Sequence, residues 1–111
     1  LPYTNLNIIA IMTTQAQEIA GTILQQLGGG SRVKIMTGAK RFIAADNGLL
    51  IGLTRGLYVQ ISLTALDLYD AHTFKVKRGT LDRVVKNEET GLYNDQIKKW
   101  FETSTGLYLS L

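Results

Sequence analysis

The sequence predicts an α+β domain, and three observations predict it. The stretch TQAQEIAGTILQQLGGG repeats apolar residues at helical spacing and ends in glycine. The middle of the chain changes to apolar–polar alternation punctuated by turn residues. The stretch NDQIKKWFETSTG returns to helical spacing. The expected order is an N-terminal helix, an antiparallel meander of about four to five strands, and a C-terminal helix packed on the sheet.

The first helix begins after Thr14, which with Gln17 has the form of a capping box. Ala16, Ala20, Ile23 and Leu27 make its apolar stripe, widened by Ile19 and Leu24. Gly28-Gly29-Gly30 stops it, because glycine enters the left-handed C-terminal conformation without a steric penalty. Val33 and Ile35 then predict a strand with Arg32 and Lys34 on its outer side, turning near Thr37-Gly38 into a return strand at Phe42 or Ile43.

Asp46-Asn47-Gly48 is a strong hairpin signal, followed by the alternation Leu49, Ile51, Leu53. After Thr54-Arg55-Gly56, residues Leu57, Val59, Ile61 and Leu63 alternate cleanly, with Tyr58, Gln60 and Ser62 on the opposite face. Residues 64–71 read as an irregular connection. Phe74 and Val76 then point inward with Lys75 and Lys77 outward, and Leu81, Val84 and Val85 suggest an edge strand. The last helix starts near Asn94 and carries Ile97, Trp100, Phe101 and Ser104 on its core face until Gly106. The tetrapeptide Thr-Gly-Leu-Tyr occurs at 90–93 and again at 105–108, bracketing this helix. Both copies read as glycine turns whose Leu and Tyr anchor the helix ends.

With 111 residues the chain is expected to be one domain. Residues 1–11 are set apart as a leader or tag-like segment, and residues 12–111 form the domain. The run Ile8-Ile9-Ala10-Ile11 is too short for a membrane span. The chain has no cysteine, which excludes disulfides and thiolate metal sites and suits a cytoplasmic location.

Catalytic patterns are sparse. Gly38-Ala39-Lys40-Arg41 lacks the spacing and hydroxyl of a phosphate-binding loop. Asp67, Asp70 and His72, the one histidine, are better explained as a solvated turn than as a metal site. No nucleophile–histidine–acid scaffold is visible. The expectation is a non-enzymatic protein with no cofactor.

Charge is more informative. Arg32, Lys34, Lys40 and Arg41 occur in residues 31–44 without an acid, while Lys75, Lys77, Arg78, Arg83 and Lys86 face Asp82 alone in residues 71–87. If the strands lie side by side, a basic sheet face carrying Tyr58 would suit single-stranded nucleic acid. The candidate site is Arg32, Lys34, Lys40, Arg41, Lys75, Lys77 and Arg78 on phosphates, with Tyr58 stacking on a base. Opposing this, lysine and arginine are the ordinary residues of an exposed strand.

The segments MTGAKRF, LTALDLYD, GLYNDQIKKWF and TGLYLSL together resemble a group of small, mostly uncharacterised bacteriophage and prophage proteins, from about Met12 to Leu111. The resemblance implies a host-cell cytoplasm and brings no assigned site residue. The leading expectation is therefore a small phage-type accessory protein that binds DNA or RNA single strands. The alternative is a protein-interaction module, an inhibitor of a host factor or a self-associating piece, contacting its partner or a second copy through the apolar C-terminal tail GLYLSL.

Overall fold

A computed structural model describes residues 16–45, 47–77, 79–80 and 82–109. Helix α1 covers residues 16–26. Its stripe is buried as its spacing predicts, with Ala20, Ile23 and Leu27 in the core. Thr14, the proposed cap, lies outside the described residues. The glycines do end the helix: Gly28 and Gly29 take φ values of 110° and 95°, and the Gly29 N–H donates to the Leu24 carbonyl at 2.9 Å.

Beyond these glycines the chain does not form the expected strand. Residues Gly30–Thr37 form a second helix, α2, capped at its C-terminus by Gly38, whose N–H donates to the Lys34 carbonyl. Val33 and Thr37, one helical turn apart, are buried, whereas Ile35 is 80% exposed. A window of two apolar residues two apart fits a strand, but the pair that finds the core is four apart. The Thr37 hydroxyl donates back to the Val33 carbonyl at 2.6 Å, which satisfies it inside the helix.

The sheet contains strands β1 (Arg41–Ala45), β2 (Gly48–Gly52), β3 (Leu57–Leu63), β4 (Tyr69–Val76) and β5 (Arg83–Leu92). They pair in sequence order, β1-β2-β3-β4-β5, each antiparallel to the next. The β1–β2 hairpin pairs Ala45 with Gly48, and Asn47 supplies a φ of 55° in its two-residue turn. Gly48 has a second duty: a Cβ there would overlap the Ile61 carbonyl of β3. Arg55 and Gly56 both turn left-handed between β2 and β3, with φ values of 61° and 73°.

Helix α3 (Ile97–Thr105) follows a short 3-10 turn and ends at Gly106, φ 73°. The Gln96 side chain accepts the Tyr93 N–H at 2.9 Å across that turn. Ile97 and Phe101 are fully buried, as the helical spacing predicts, and Trp100 packs beside them.

One continuous core joins Ile23 of α1, Leu27 just after it, Val33 of α2, and Ile97 and Phe101 of α3 to one face of the sheet. That face presents Leu49 and Ile51 from β2, Val59 and Ile61 from β3, and Tyr69 and Ala71 from β4. The fold class is α+β, with a five-stranded antiparallel meander and the helices on one side.

Strand β4 begins at Tyr69, inside what the sequence presents as a connection, and its phase is opposite to the expected one. Tyr69, Ala71 and Thr73 turn to the helices, and Phe74 and Val76 to the second face. The small size of Ala71 and Thr73 hides the true core side, and the bulk of Phe74 points to the wrong one. The two Thr-Gly-Leu-Tyr copies divide similarly: Leu92 is buried and Leu107 packs on the core, while Tyr93 and Tyr108 are 62% and 69% exposed. Leu109 is fully buried and its N–H donates to the Glu102 carboxylate at 2.8 Å. Within the described part of the tail, Leu107 and Leu109 are therefore turned to the core while Tyr108 is turned to solvent.

Candidate nucleic-acid interface

The meander sorts charge by the ends of the strands. At one end stand Lys40 and Arg41 entering β1, Arg55 in the β2–β3 turn, Lys75 and Lys77 leaving β4, and Arg83 opening β5. Asp82 is the lone acid beside them among the described residues. Towards the other end stand Asp67 in the β3–β4 turn, Asp70 opening β4, and Glu88 and Glu89 in the second half of β5. Charges separated in sequence become neighbours because odd and even strands reverse direction.

The predicted site residues do not share one sheet face. Arg32 and Lys34 are exposed on α2, in the helical layer, and leave the sheet altogether. Lys75 pairs with Leu57 on the helix-covered side, not on the side of Tyr58. There it lines a cleft with Arg55, Thr54, Leu57, Thr105 and Leu107. Lys77 is exposed in the loop after β4, and its N–H donates to the Asp82 carbonyl at 2.7 Å. Arg78 lies outside the described residues. Among the described residues Tyr58 occupies the expected face, and Arg41, read from the sequence as part of a turn, joins it there from β1.

That second face carries a row across four strands. Arg41 pairs with Gly52, Gly52 with Tyr58, and Tyr58 with Phe74. Gly52 leaves a gap that its neighbours close: an added Cβ would sit 3.4 Å from both Arg41 Cβ and Tyr58 Cε1. The Tyr58 and Phe74 rings stack with centroids 5.3 Å apart and planes 12° apart. His72, two residues along β4, also stacks with Phe74 at 5.5 Å, and the Arg83 guanidinium lies 4.4 Å from the Phe74 ring centroid. Phe74 is 2% exposed, so it supports Tyr58 rather than offering a free ring. Gln60, also on this face, is buried; its Nε2 donates to the Ala45 carbonyl at 3.0 Å and to Ser62 Oγ at 3.1 Å.

The arrangement can hold an anion at several points around the sheet end, with a half-buried tyrosine beside them. Arg55 and Arg83 join this set although their sequence positions did not single them out. Arg55 stands alone in its turn, and Arg83 reaches the basic end by opening β5, where it also lies over Phe74. The Asp70 carboxylate, considered with His72 for a metal, accepts the Gly91 N–H at 3.2 Å. No helix among the described residues is long and apolar enough to cross a membrane. The chain matches no family model, no curated protein and no solved structure.

Proposed function

We propose that this domain binds single-stranded nucleic acid without catalysing a reaction, across the basic end of its sheet. The observation that carries this reading is the sorting of charge: Lys40, Arg41, Arg55, Lys75, Lys77 and Arg83 rim one end, and most of the sheet's acids lie towards the other. A phosphate chain is attracted to the first and repelled by the second, so it crosses the strand ends rather than following the strands. Tyr58, stacked on Phe74 and facing Arg41 across Gly52, offers its remaining ring surface to a base. In this reading the protein is a phage-type accessory factor in a host-cell cytoplasm, a setting that the absence of cysteine suits.

The test is a titration with fluorescent single-stranded DNA, duplex DNA and RNA at two salt concentrations. Four phosphate contacts would give a log–log salt slope of about −3. The Arg55→Glu, Lys75→Glu double variant should weaken binding at least tenfold and flatten that slope, with thermal unfolding unchanged. Absence of binding at low salt would overturn the proposal.

A further inference from the structure

At the basic end, the helix-covered side of the sheet holds a cleft of about 400 Å³, a volume within the range of sites that take small ligands. One wall is the β2–β3 turn with Thr54 and Arg55, continued by Lys75 of β4. The opposite wall is the end of α3 at Thr105. Leu53, Leu57 and Leu107 supply an apolar floor, and no carboxylate is among the residues that line the cleft. Its two cations stand where packing alone would not put them. Arg55 has a φ of 61°, a conformation that suits glycine or asparagine. Lys75 is exposed at the end of a row on β4 whose other members, Tyr69, Ala71 and Thr73, are buried against the helices.

We infer that this cleft receives the terminal phosphomonoester of a nucleic-acid strand, so that the domain recognises a phosphorylated strand end. The inference rests on the single-strand reading above and names the part of the strand that is held. A terminal monoester carries a charge of about −1.5 to −2 at neutral pH, whereas a backbone phosphate carries a single charge. Two cations in a cleft lined by no acid match the terminus better than the backbone. The planar Arg55 guanidinium can give two parallel hydrogen bonds to one phosphate, and the Lys75 ammonium adds a compact charge.

Position sets the terminus apart as well. Leu57 and Tyr58 are consecutive in β3, so the cleft and the Tyr58 ring lie on opposite faces of the sheet near one level. A strand whose base stacks on Tyr58 reaches the cleft by rounding the β2–β3 turn. There the end of α3 stands across its path, and the leucines receive the last sugar. A helix C-terminus repels anions through its unsatisfied carbonyls, but here several are occupied. The Phe101 carbonyl accepts the Thr105 hydroxyl at 2.7 Å, the Glu102 carbonyl the Gly106 N–H at 2.9 Å, and the Ser104 carbonyl Asn87 Nδ2 at 3.2 Å.

Fluorescence anisotropy tests this with a short oligothymidine carrying a 5′-phosphate, a 3′-phosphate or hydroxyl ends. A hydroxyl-ended strand one nucleotide longer supplies the additional phosphate inside the chain instead. One phosphorylated end should bind at least about tenfold tighter than both hydroxyl-ended strands, and which end gains gives the polarity of the bound strand. Arg55→Gln and Lys75→Gln should each remove most of that preference. Thr54→Trp, which obstructs the cleft without changing its charge, should remove it too. Lys77→Gln, on the rim outside the cleft, should weaken all strands alike and keep the preference. Equal binding of every strand overturns the inference and leaves the single-strand reading standing, whereas absence of binding by any strand overturns both. A preference that survives Thr54→Trp overturns the inference alone. So does a lowered unfolding temperature for Arg55→Gln and Lys75→Gln with the preference intact, because the two cations then serve only the end of α3.

Discussion

The two faces of the sheet are made from the same strands, yet they are held by different physics. On the helix-covered side, Ile51, Val59 and Ile61 of the sheet and Ile97 and Phe101 of α3 are fully buried and pack as one cluster. The second face is held by a few local contacts, the Tyr58–Phe74–His72 stack and the Arg83 guanidinium over it. Both contain a phenylalanine with almost no exposure, Phe101 and Phe74. Burial alone therefore does not separate the faces. What separates them is the cover: three helices in one case, long polar side chains in the other. Stability should reside on the first face, and freedom for contact on the second.

Substitutions can break that contrast or sharpen it. Phe101→Ala opens a cavity between α3 and the sheet that rigid neighbours cannot close, and should cost about 3–5 kcal/mol in urea unfolding. Phe74→Ala removes a ring of equal size, but Tyr58, His72 and Arg83 can settle into the space. Its expected cost is smaller, about 2 kcal/mol. Equal losses at Phe101 and Phe74 would erase the distinction between the faces. Gly48→Ala tests the strand contact common to both faces, because its Cβ meets the rigid Ile61 carbonyl. A loss towards the upper end of about 1–3 kcal/mol is expected, with altered amide exchange in β2 and β3.

Asn87→Ala probes the link from β5 to the helices. Asn87 Nδ2 donates to Thr73 Oγ1 at 3.3 Å and to the Ser104 carbonyl of α3 at 3.2 Å. Thr73 is fully buried, so losing its partner should cost about 1–2 kcal/mol by thermal unfolding. Arg83→Ala, which removes only the cation over Phe74, should cost about 0.5–1 kcal/mol and expose the ring. That last change also subtracts one cation from the basic end, so its effect on nucleic-acid affinity should exceed its effect on stability.

The contrast also explains which parts of the molecule were legible in the sequence. Helices α1 and α3 were readable because long stretches repeat one period and glycine closes both. Strands β2 and β3 were readable because Leu49–Leu53 and Leu57–Leu63 alternate against turn residues that demand positive φ. Tyr58 was placed on the open face because the phase of its strand is visible, whereas Arg41 read as a turn residue and takes its place on that face by pairing with Gly52.

Other features needed the folded chain. Residues 31–37 are too few for periodicity to choose between helix and strand; contact of Val33 with the core decides for the helix. The side on which Phe74 points depends on register with Tyr58, a long-range pairing, and the small residues on the true core side leave no local sign of it. The gathering of Arg55, Lys75 and Arg83 at one end is a property of topology, because reversing strands bring distant charges together. The sequence by itself determined where the chain turns and which segments carry strong periods, since both are set by neighbouring residues. The tertiary structure alone decided faces, phases and charge neighbourhoods, since those depend on residues that meet only when the sheet is assembled.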